Sequence, residues 1–293
     1  MDLSHVPSLI ICRASGLGGA FTATVVKSGG YAAIVDRNHD LGAAMEKQFG
    51  PGCRFFSTEI GDSNSIACTL KGIIEWISST KAELGGILAA AGIADVTPAI
   101  DDNARACNME KFDNIFRVNL RGNFDLACQT LPYWTARNIE ANHENPDAER
   151  GAIVFVSSIV ATEGQAGMSA YSGSKAAIQG IVPPMTRDLS KHQIRVLSIA
   201  PGHFESGLTR TLPPHVVASN ISGVEFPRRV GNPYEFAALA KHLFENTYMN
   251  GTTIRIDGGQ ATQRSHHRSD VELLIMSYTG MRMPPRVEPH PSL

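Results

Sequence analysis

Tyr171 and Lys175 lie four residues apart in the stretch Tyr-Ser-Gly-Ser-Lys. On a helix that spacing puts both side chains on one face. A free phenol loses its proton near a pH of about 10. A neighbouring ammonium favours the phenolate and would lower that value. The pair would then donate and accept protons close to neutrality. Ser158 lies thirteen residues before Tyr171, where the apolar run Ala152-Ile153-Val154-Phe155-Val156 ends. A hydroxyl at the carboxyl end of a strand is placed to hold a substrate oxygen in an open α/β sheet. Tyr-x-x-x-Lys on its own also arises in chains with no such chemistry, so its context decides its meaning.

That context begins upstream. Ser8–Cys12 reads as a short buried strand, followed by the small-residue turn Ala14-Ser15-Gly16-Leu17-Gly18-Gly19 and a helical stretch to about Lys27. Glycines between a strand and a helix let the backbone approach a pyrophosphate, while the helix start supplies amide donors. A second apolar strand, Tyr31–Asp36, ends in a carboxylate about 20 residues past the turn, the place of the acid that grips adenosine ribose hydroxyls. A carboxylate there repels the extra phosphate of NADP, although Arg37 beside it softens that expectation.

Apolar runs and helical periodicities alternate along the rest of the chain. Strands are expected at 53–60, 84–91, 194–199 and 252–256, beside the run before Ser158. Helices are expected at 41–49, 65–79, 109–131 and 233–244, and around Tyr171, where Pro183-Pro184 should kink or shorten the helix. Asn119 falls inside the expected 109–131 helix, an unfavourable position for that residue. The pattern predicts an α/β, Rossmann-like, doubly wound fold with a mostly parallel seven-stranded sheet and helices on both faces. Residues 1–260 form a single dinucleotide-binding catalytic domain with a turn-rich lid at about 203–229. Residues 261–293 are a C-terminal extension.

Composition narrows the class of function. The 293 residues are 43% hydrophobic and 18% charged, with a net charge of −2, which gives no sign of nucleic-acid or membrane-surface binding. Five cysteines show no CxxC, and the ten histidines show no metal-ligand spacing. No metal is expected. No signal or membrane segment is legible, so a cytoplasmic location is expected, with organellar import still compatible.

Taken in order, these motifs resemble the short-chain dehydrogenase/reductase family over roughly Ser8 to Gly259. Within it the chain looks most like the type 2 3-hydroxyacyl-CoA dehydrogenases, also called type 10 17β-hydroxysteroid dehydrogenases. Glu163-Gly164-Gln165, Ile194–Gly202, Pro227-Arg228, Val230-Gly231 and Asn250–Gly258 carry that closer likeness. The resemblance implies a catalytic set of Asn119, Ser158, Tyr171 and Lys175. Tyr171 would exchange a proton with the substrate oxygen, and Ser158 would hydrogen-bond the same oxygen. Lys175 would acidify Tyr171 and hold the nicotinamide ribose, and Asn119 would fix a water linking Lys175 to solvent. It also implies a cofactor set of Ser15, Gly16, Leu17, Gly18, Asp36, Glu59, Ile60, Ala91, Gly92, Tyr171, Lys175, Pro201, Gly202 and Phe204. The cofactor expected is NAD, with NADP disfavoured by Asp36. The substrate expected is an apolar secondary alcohol or ketone: a hydroxyacyl-CoA, a steroid-like ring system, a polyketide or a terpenoid. Phe204, Leu208, Thr211–Pro214 and Val224 are expected to line its cavity. A homodimer or homotetramer is implied by resemblance alone.

Three positions depart from the family pattern. Ile11 and Cys12 stand where it has Thr-Gly, and Ala89 stands where it has Asn. Ile11 and Ala89, on neighbouring strands, read as a matched loss of two hydrogen-bonding partners, which can be nearly neutral. If Cys12 sits at a backbone position with φ > 0, it costs roughly 1–2 kcal/mol, enough to weaken dinucleotide binding about tenfold. Two other readings therefore stay open. One is a non-redox dehydratase, isomerase or cyclase using Tyr171 as its acid; the other is a catalytically silent scaffold.

Overall fold

The computed structural model describes residues 8–80, 82–137, 148–205, 218 and 221–260, with the backbone alone for 8–12. The expected cavity residues Leu208 and Thr211–Pro214 and the extension 261–293 lie outside the described residues.

Seven parallel strands form one sheet in the order β3-β2-β1-β4-β5-β6-β7. They are β1 (Ser8–Cys12), β2 (Tyr31–Asp36), β3 (Cys53–Ser57), β4 (Glu83–Ala89), β5 (Gly151–Val156), β6 (Ile194–Pro201) and β7 (Thr253–Ile256). Between them run α1 (Gly16–Lys27), α2 (His39–Phe49), α3 (Ser63–Ser78), α4 (Met109–Phe116), α5 (Asn123–Thr135), the four-residue α6 (Val160–Glu163), α7 (Ser169–Ser190) and α8 (Pro233–Glu245). The fold is the doubly wound one expected. The direction of winding reverses between β1 and β4, which opens a crevice beyond their carboxyl ends.

Strand alternation separates two cores. In β5, Ile153 and Phe155 pack with Ile73 of α3, Leu126 of α5 and Ile178 and Val182 of α7. The intervening Ala152, Val154 and Val156 pack on the other face with Phe21 of α1 and Phe236 and Phe244 of α8. Burial on both faces explains why these strands read as unbroken apolar runs. Side-chain caps start several helices. Asn38, Asp62 and Asn108 accept from amides in the first turns of α2, α3 and α4, and Asn232 forms a reciprocal capping box with Glu235 on α8.

Two helix expectations change. The stretch expected as one helix from 109 to 131 is α4 and α5 joined by a π-helical segment at Arg117–Gly122, which contains Asn119. Hydrophobic spacing does not report the one-residue widening that makes a π turn. Pro183-Pro184 does not shorten α7, which runs 22 residues with both prolines inside it. Its buried stripe of Ile178, Val182, Met185 and Leu189 keeps it packed on the first core, so tertiary burial outweighs the lost backbone bonds.

Gly122 closes the π segment against the loop after β3. A Cβ added there would lie 2.3 Å from the Ile60 carbonyl oxygen. Gly122→Ala should destabilise the protein by about 1–3 kcal/mol through overpacking against backbone. Gly180 in α7 has nothing within 4 Å of an added Cβ. Gly180→Ala should therefore be neutral or stabilising by up to about 1 kcal/mol. Thermal denaturation of the two variants measures both; similar melting temperatures would contradict this reading of Gly122.

Candidate active site

The crevice at the carboxyl ends of β4 and β5 gathers the four expected catalytic residues, all buried. Asn119 is 0% exposed, Ser158 1%, Lys175 4% and Tyr171 7%. Ser158 follows β5, and Tyr171 and Lys175 face the crevice from the first turns of α7. The tyrosine ring packs in a small apolar cluster with Ala94, Ile159, Val160 and Met168. The Ser158 and Tyr171 side chains share a hydrogen bond. The Lys175 ammonium donates to the Val156 carbonyl at 2.7 Å, and Nζ lies 5.7 Å from the centre of the Tyr171 ring.

Residues that motif reading passed over hold this set in place. Ser157 Oγ donates to the Lys175 carbonyl at 2.8 Å and accepts from Gln179 Nε2 at 3.0 Å, fastening α7 to the end of β5. Asn119 is clamped by three bonds. Its Oδ1 accepts from the Ile93 amide at 2.8 Å, and its Nδ2 donates to the Ile93 carbonyl at 2.9 Å and to Ser174 Oγ at 3.0 Å. Asn123 Nδ2 donates to the Ala91 and Asn119 carbonyls, both at 2.8 Å. The loop after β4, the π segment and α7 are thereby tied through two asparagines. Its spacing of four from Asn119, one turn along the expected helix, is the sequence signal that could have marked Asn123.

The electrostatics correct one expectation. Tyr171 is not acidified: burial pushes its pKa up to about 12, opposed by the Ser158 hydrogen bond, and Lys175 is not among the causes. Burial also pulls Lys175 down to about 7, with the positive charge of Arg13 adding to the effect. Desolvation acts against both charged forms, so each group is driven toward neutrality. The spacing of the pair is correctly legible in the sequence; the dryness of its surroundings is not.

Most of the expected cofactor residues fall near the carboxyl ends of the strands, but the Ile60 and Phe204 side chains turn into the two cores instead. Gly16 opens α1 with φ +57°, a conformation open to glycine, and an added Cβ there would meet nothing within 4 Å. Ser15 is the α1 N-cap without a side-chain cap bond, and Leu17 and Gly18 follow in the first turn, whose amides have no intrahelical acceptor. Asp36 closes β2 with Oδ2 accepting from the Ala14 amide at 3.3 Å and Oδ1 from the Asn38 amide at 3.0 Å. Glu59 folds back onto the Gly61 amide at 3.1 Å, and Ile60 packs against the first core. Ala91 and Gly92 follow β4, and a Cβ on Gly92 would lie 3.5 Å from Lys175 Nζ. The Pro201 carbonyl accepts from the Ile159 amide at 3.1 Å, and the Gly202 amide donates to the Ile256 carbonyl at 3.0 Å. Phe204 directs its ring into the second core, 6.2 Å from the Phe236 ring. Val224 is also buried. The backbone pairing of residues 203 and 205 with Gly231 brings together the two ends of the expected lid.

Glycines that leave room beside an amide-rich helix start, with a carboxylate beside them and a lysine beyond, fit a nicotinamide dinucleotide. Cys12 does not oppose that fit through its backbone. It is the last residue of extended β1, in register with Ile34, and the turn's left-handed position is Gly16. Ile11 is paired in register with Ile87, and Ala89 is two residues farther along β4. The Ile11 side chain lies outside the described ones. Among the described residues no helix is long and apolar enough to cross a membrane.

The pKa of Lys175 gives a stability prediction. Between about 7 when folded and 10.5 when unfolded, the unfolded chain holds a proton that the folded chain lacks. Stability therefore rises with pH across that window, and the cost of burying this lysine is greatest at its lower end. Lys175→Met should gain most over the parent protein near pH 7, and the gap should narrow toward pH 10. Denaturant unfolding at several pH values reads the gap; one that stays constant would contradict the shift.

Comparison with known proteins follows the same outline. The short chain dehydrogenase family profile matches residues 8–216. The 3-hydroxyacyl-CoA dehydrogenase type-2 of Drosophila melanogaster is 31% identical over 260 residues, covering 87% of this chain and 97% of that protein. The mouse protein of the same name is 33% identical over 260 residues, covering 86% of this chain and 95% of its own length. Among solved structures, 3-hydroxyacyl-CoA dehydrogenase type-2 from Mycobacterium avium superposes with a TM-score of 0.79 at 26% identity, over 89% of this chain and 97% of that one. A 3-ketoacyl-(acyl-carrier-protein) reductase from Brucella melitensis, complexed with NADH, shares the fold with a TM-score of 0.75 at 20% identity, over 89% of this chain and all of that one, 100%. With its sheet, its crevice and its buried Ser158–Tyr171–Lys175 cluster, the chain belongs to the short-chain dehydrogenase family and is an oxidoreductase acting on CH–OH groups with a nicotinamide cofactor.

Proposed function

We propose that this protein interconverts a secondary alcohol and a ketone on an apolar acyl substrate, using NAD(H) rather than NADP(H), with Tyr171 as the proton-transferring group. The observation that carries the reading is the burial of Tyr171 in hydrogen-bond contact with Ser158, beside Lys175, at the carboxyl end of β5.

The bound nicotinamide supplies the hydride acceptor or donor. The chain supplies binding, orientation and the proton. Ser158 and Tyr171 hold the substrate oxygen between two hydroxyls. With its pKa raised to about 12, Tyr171 stays protonated at neutral pH, which suits it to deliver a proton to the oxygen of a ketone being reduced. Lys175 is held at the end of β5 by the Val156 carbonyl, beside Gly92. That position supports its role in holding the nicotinamide ribose. Asn119 acts as a positioning residue through its clamp on Ile93. Asp36, buried at the end of β2, supports the preference for an unphosphorylated ribose.

The first substrate class to test is the 3-hydroxyacyl-CoA/3-ketoacyl-CoA pair, which the names of the type-2 relatives suggest. The apolar setting of Tyr171, with Ala94, Val160 and Met168 around it, is compatible with an acyl chain. A homodimer or homotetramer completes the reading, and light scattering tests it.

Tyr171→Phe should lower kcat/KM for 3-ketoacyl-CoA reduction by roughly 10²–10⁴, the range ascribed to general acid catalysis. NADH affinity, read by fluorescence titration, should fall far less, by no more than about tenfold for the loss of one hydrogen bond. Turnover that survives the substitution, or NADPH supporting faster reduction than NADH, would defeat this proposal.

A further inference from the structure

Arg13 is the first residue after β1, at the point where the winding of the sheet reverses. Its side chain reaches to both neighbouring strands. Nε lies 3.3 Å from Asp36 Oδ2 at the end of β2, and Nη1 donates to the Gly92 carbonyl at 3.4 Å, just past β4. The guanidinium therefore bridges the carboxyl ends of the two strands that flank β1. Asp36 is almost closed to solvent, with its side chain 4% exposed, whereas Arg13 keeps 28%.

This placement sets Arg13 against the ligand that the crevice fits. Asp36 is the acid expected to take ribose hydroxyls, and Arg13 now shares that carboxylate. At the other end of the strap, Gly92 stands beside Lys175 and Asn119, where the nicotinamide half belongs. Both contacts lie beyond the usual 2.7–3.2 Å range of N–H···O bonds, so they are weak enough to be exchanged. Gly18 allows the arrangement, because a Cβ there would lie 2.7 Å from the Arg13 Cβ.

We propose that Arg13 is a displaceable strap over the dinucleotide crevice, competing with the adenosine ribose for Asp36, so that the cofactor binds only as Arg13 swings away. The inference rests on the NAD-linked reading above and makes Arg13 the residue that sets cofactor affinity. It also explains why the acid at the end of β2 is held ready: its carboxylate has a cationic partner until the ribose arrives.

Equilibrium fluorescence titration with NADH and NADPH tests this without turnover. The parent protein is compared with Arg13→Ala and Arg13→Gln, each checked for folding by circular dichroism. Loss of a partly exposed ion pair should tighten NADH binding by roughly two- to fivefold in both variants. Equal or weaker NADH binding in both variants overturns the strap and leaves the NAD-linked reading standing. NADPH binding that exceeds NADH binding in the parent and is lost in both variants also overturns it, making Arg13 a phosphate ligand instead. If none of the three folded proteins binds either dinucleotide, the strap falls together with the NAD-linked reading.

Discussion

Carrying an amine into the interior is the constraint around which the rest of this structure is arranged. Lys175 is almost fully buried, and a desolvated ammonium is costly unless hydrogen bonds replace its water. The replacement comes from the end of a strand. A parallel sheet leaves carbonyls without ladder partners just past its last residues, and Val156 offers one to Nζ. Helix α7 must therefore lie close against β5 and in one rotational setting. Ser157 and Gln179 fix that setting. Once α7 is so fixed, Tyr171, one turn earlier, is carried to Ser158.

The same dryness sets the protonation states. Burial pushes Tyr171 and Lys175 alike toward their neutral forms. A neutral phenol is a proton donor in waiting, and a lysine drawn down to about 7 responds readily to any change in the surrounding field. Arg13 is part of that field. Its charge acts on Lys175 through space and pairs with Asp36, so the end of β2 and the buried amine are linked through one side chain.

Much of this was legible in the sequence. The apolar runs of β2, β4, β5 and β6 announced buried parallel strands. The glycine turn and the Asp36 terminus marked strand ends that lie beside the crevice, and the order of Asn119, Ser158, Tyr171 and Lys175 marked four residues that the structure buries together there. Less legible were features that depend on three-dimensional crowding. The π segment at Arg117–Gly122 leaves the apolar periodicity of its helix almost unchanged. The sign of the Tyr171 shift depends on how much water surrounds it, which spacing alone does not encode. Cys12 reads in the sequence as a side chain where the family has a turn glycine, yet the strand continues through it and the left-handed residue is Gly16.

Tyrosine labelled with ¹³C at Cζ allows the Tyr171 phenol to be followed by NMR as pH is raised in the unliganded protein, with Tyr171→Phe assigning the signal. If burial governs this site, the signal holds its neutral position through the ordinary tyrosine range and shifts only near pH 12. A phenol that ionises below the ordinary value of about 10 would mean that the neighbouring amine prevails over desolvation, contrary to this account.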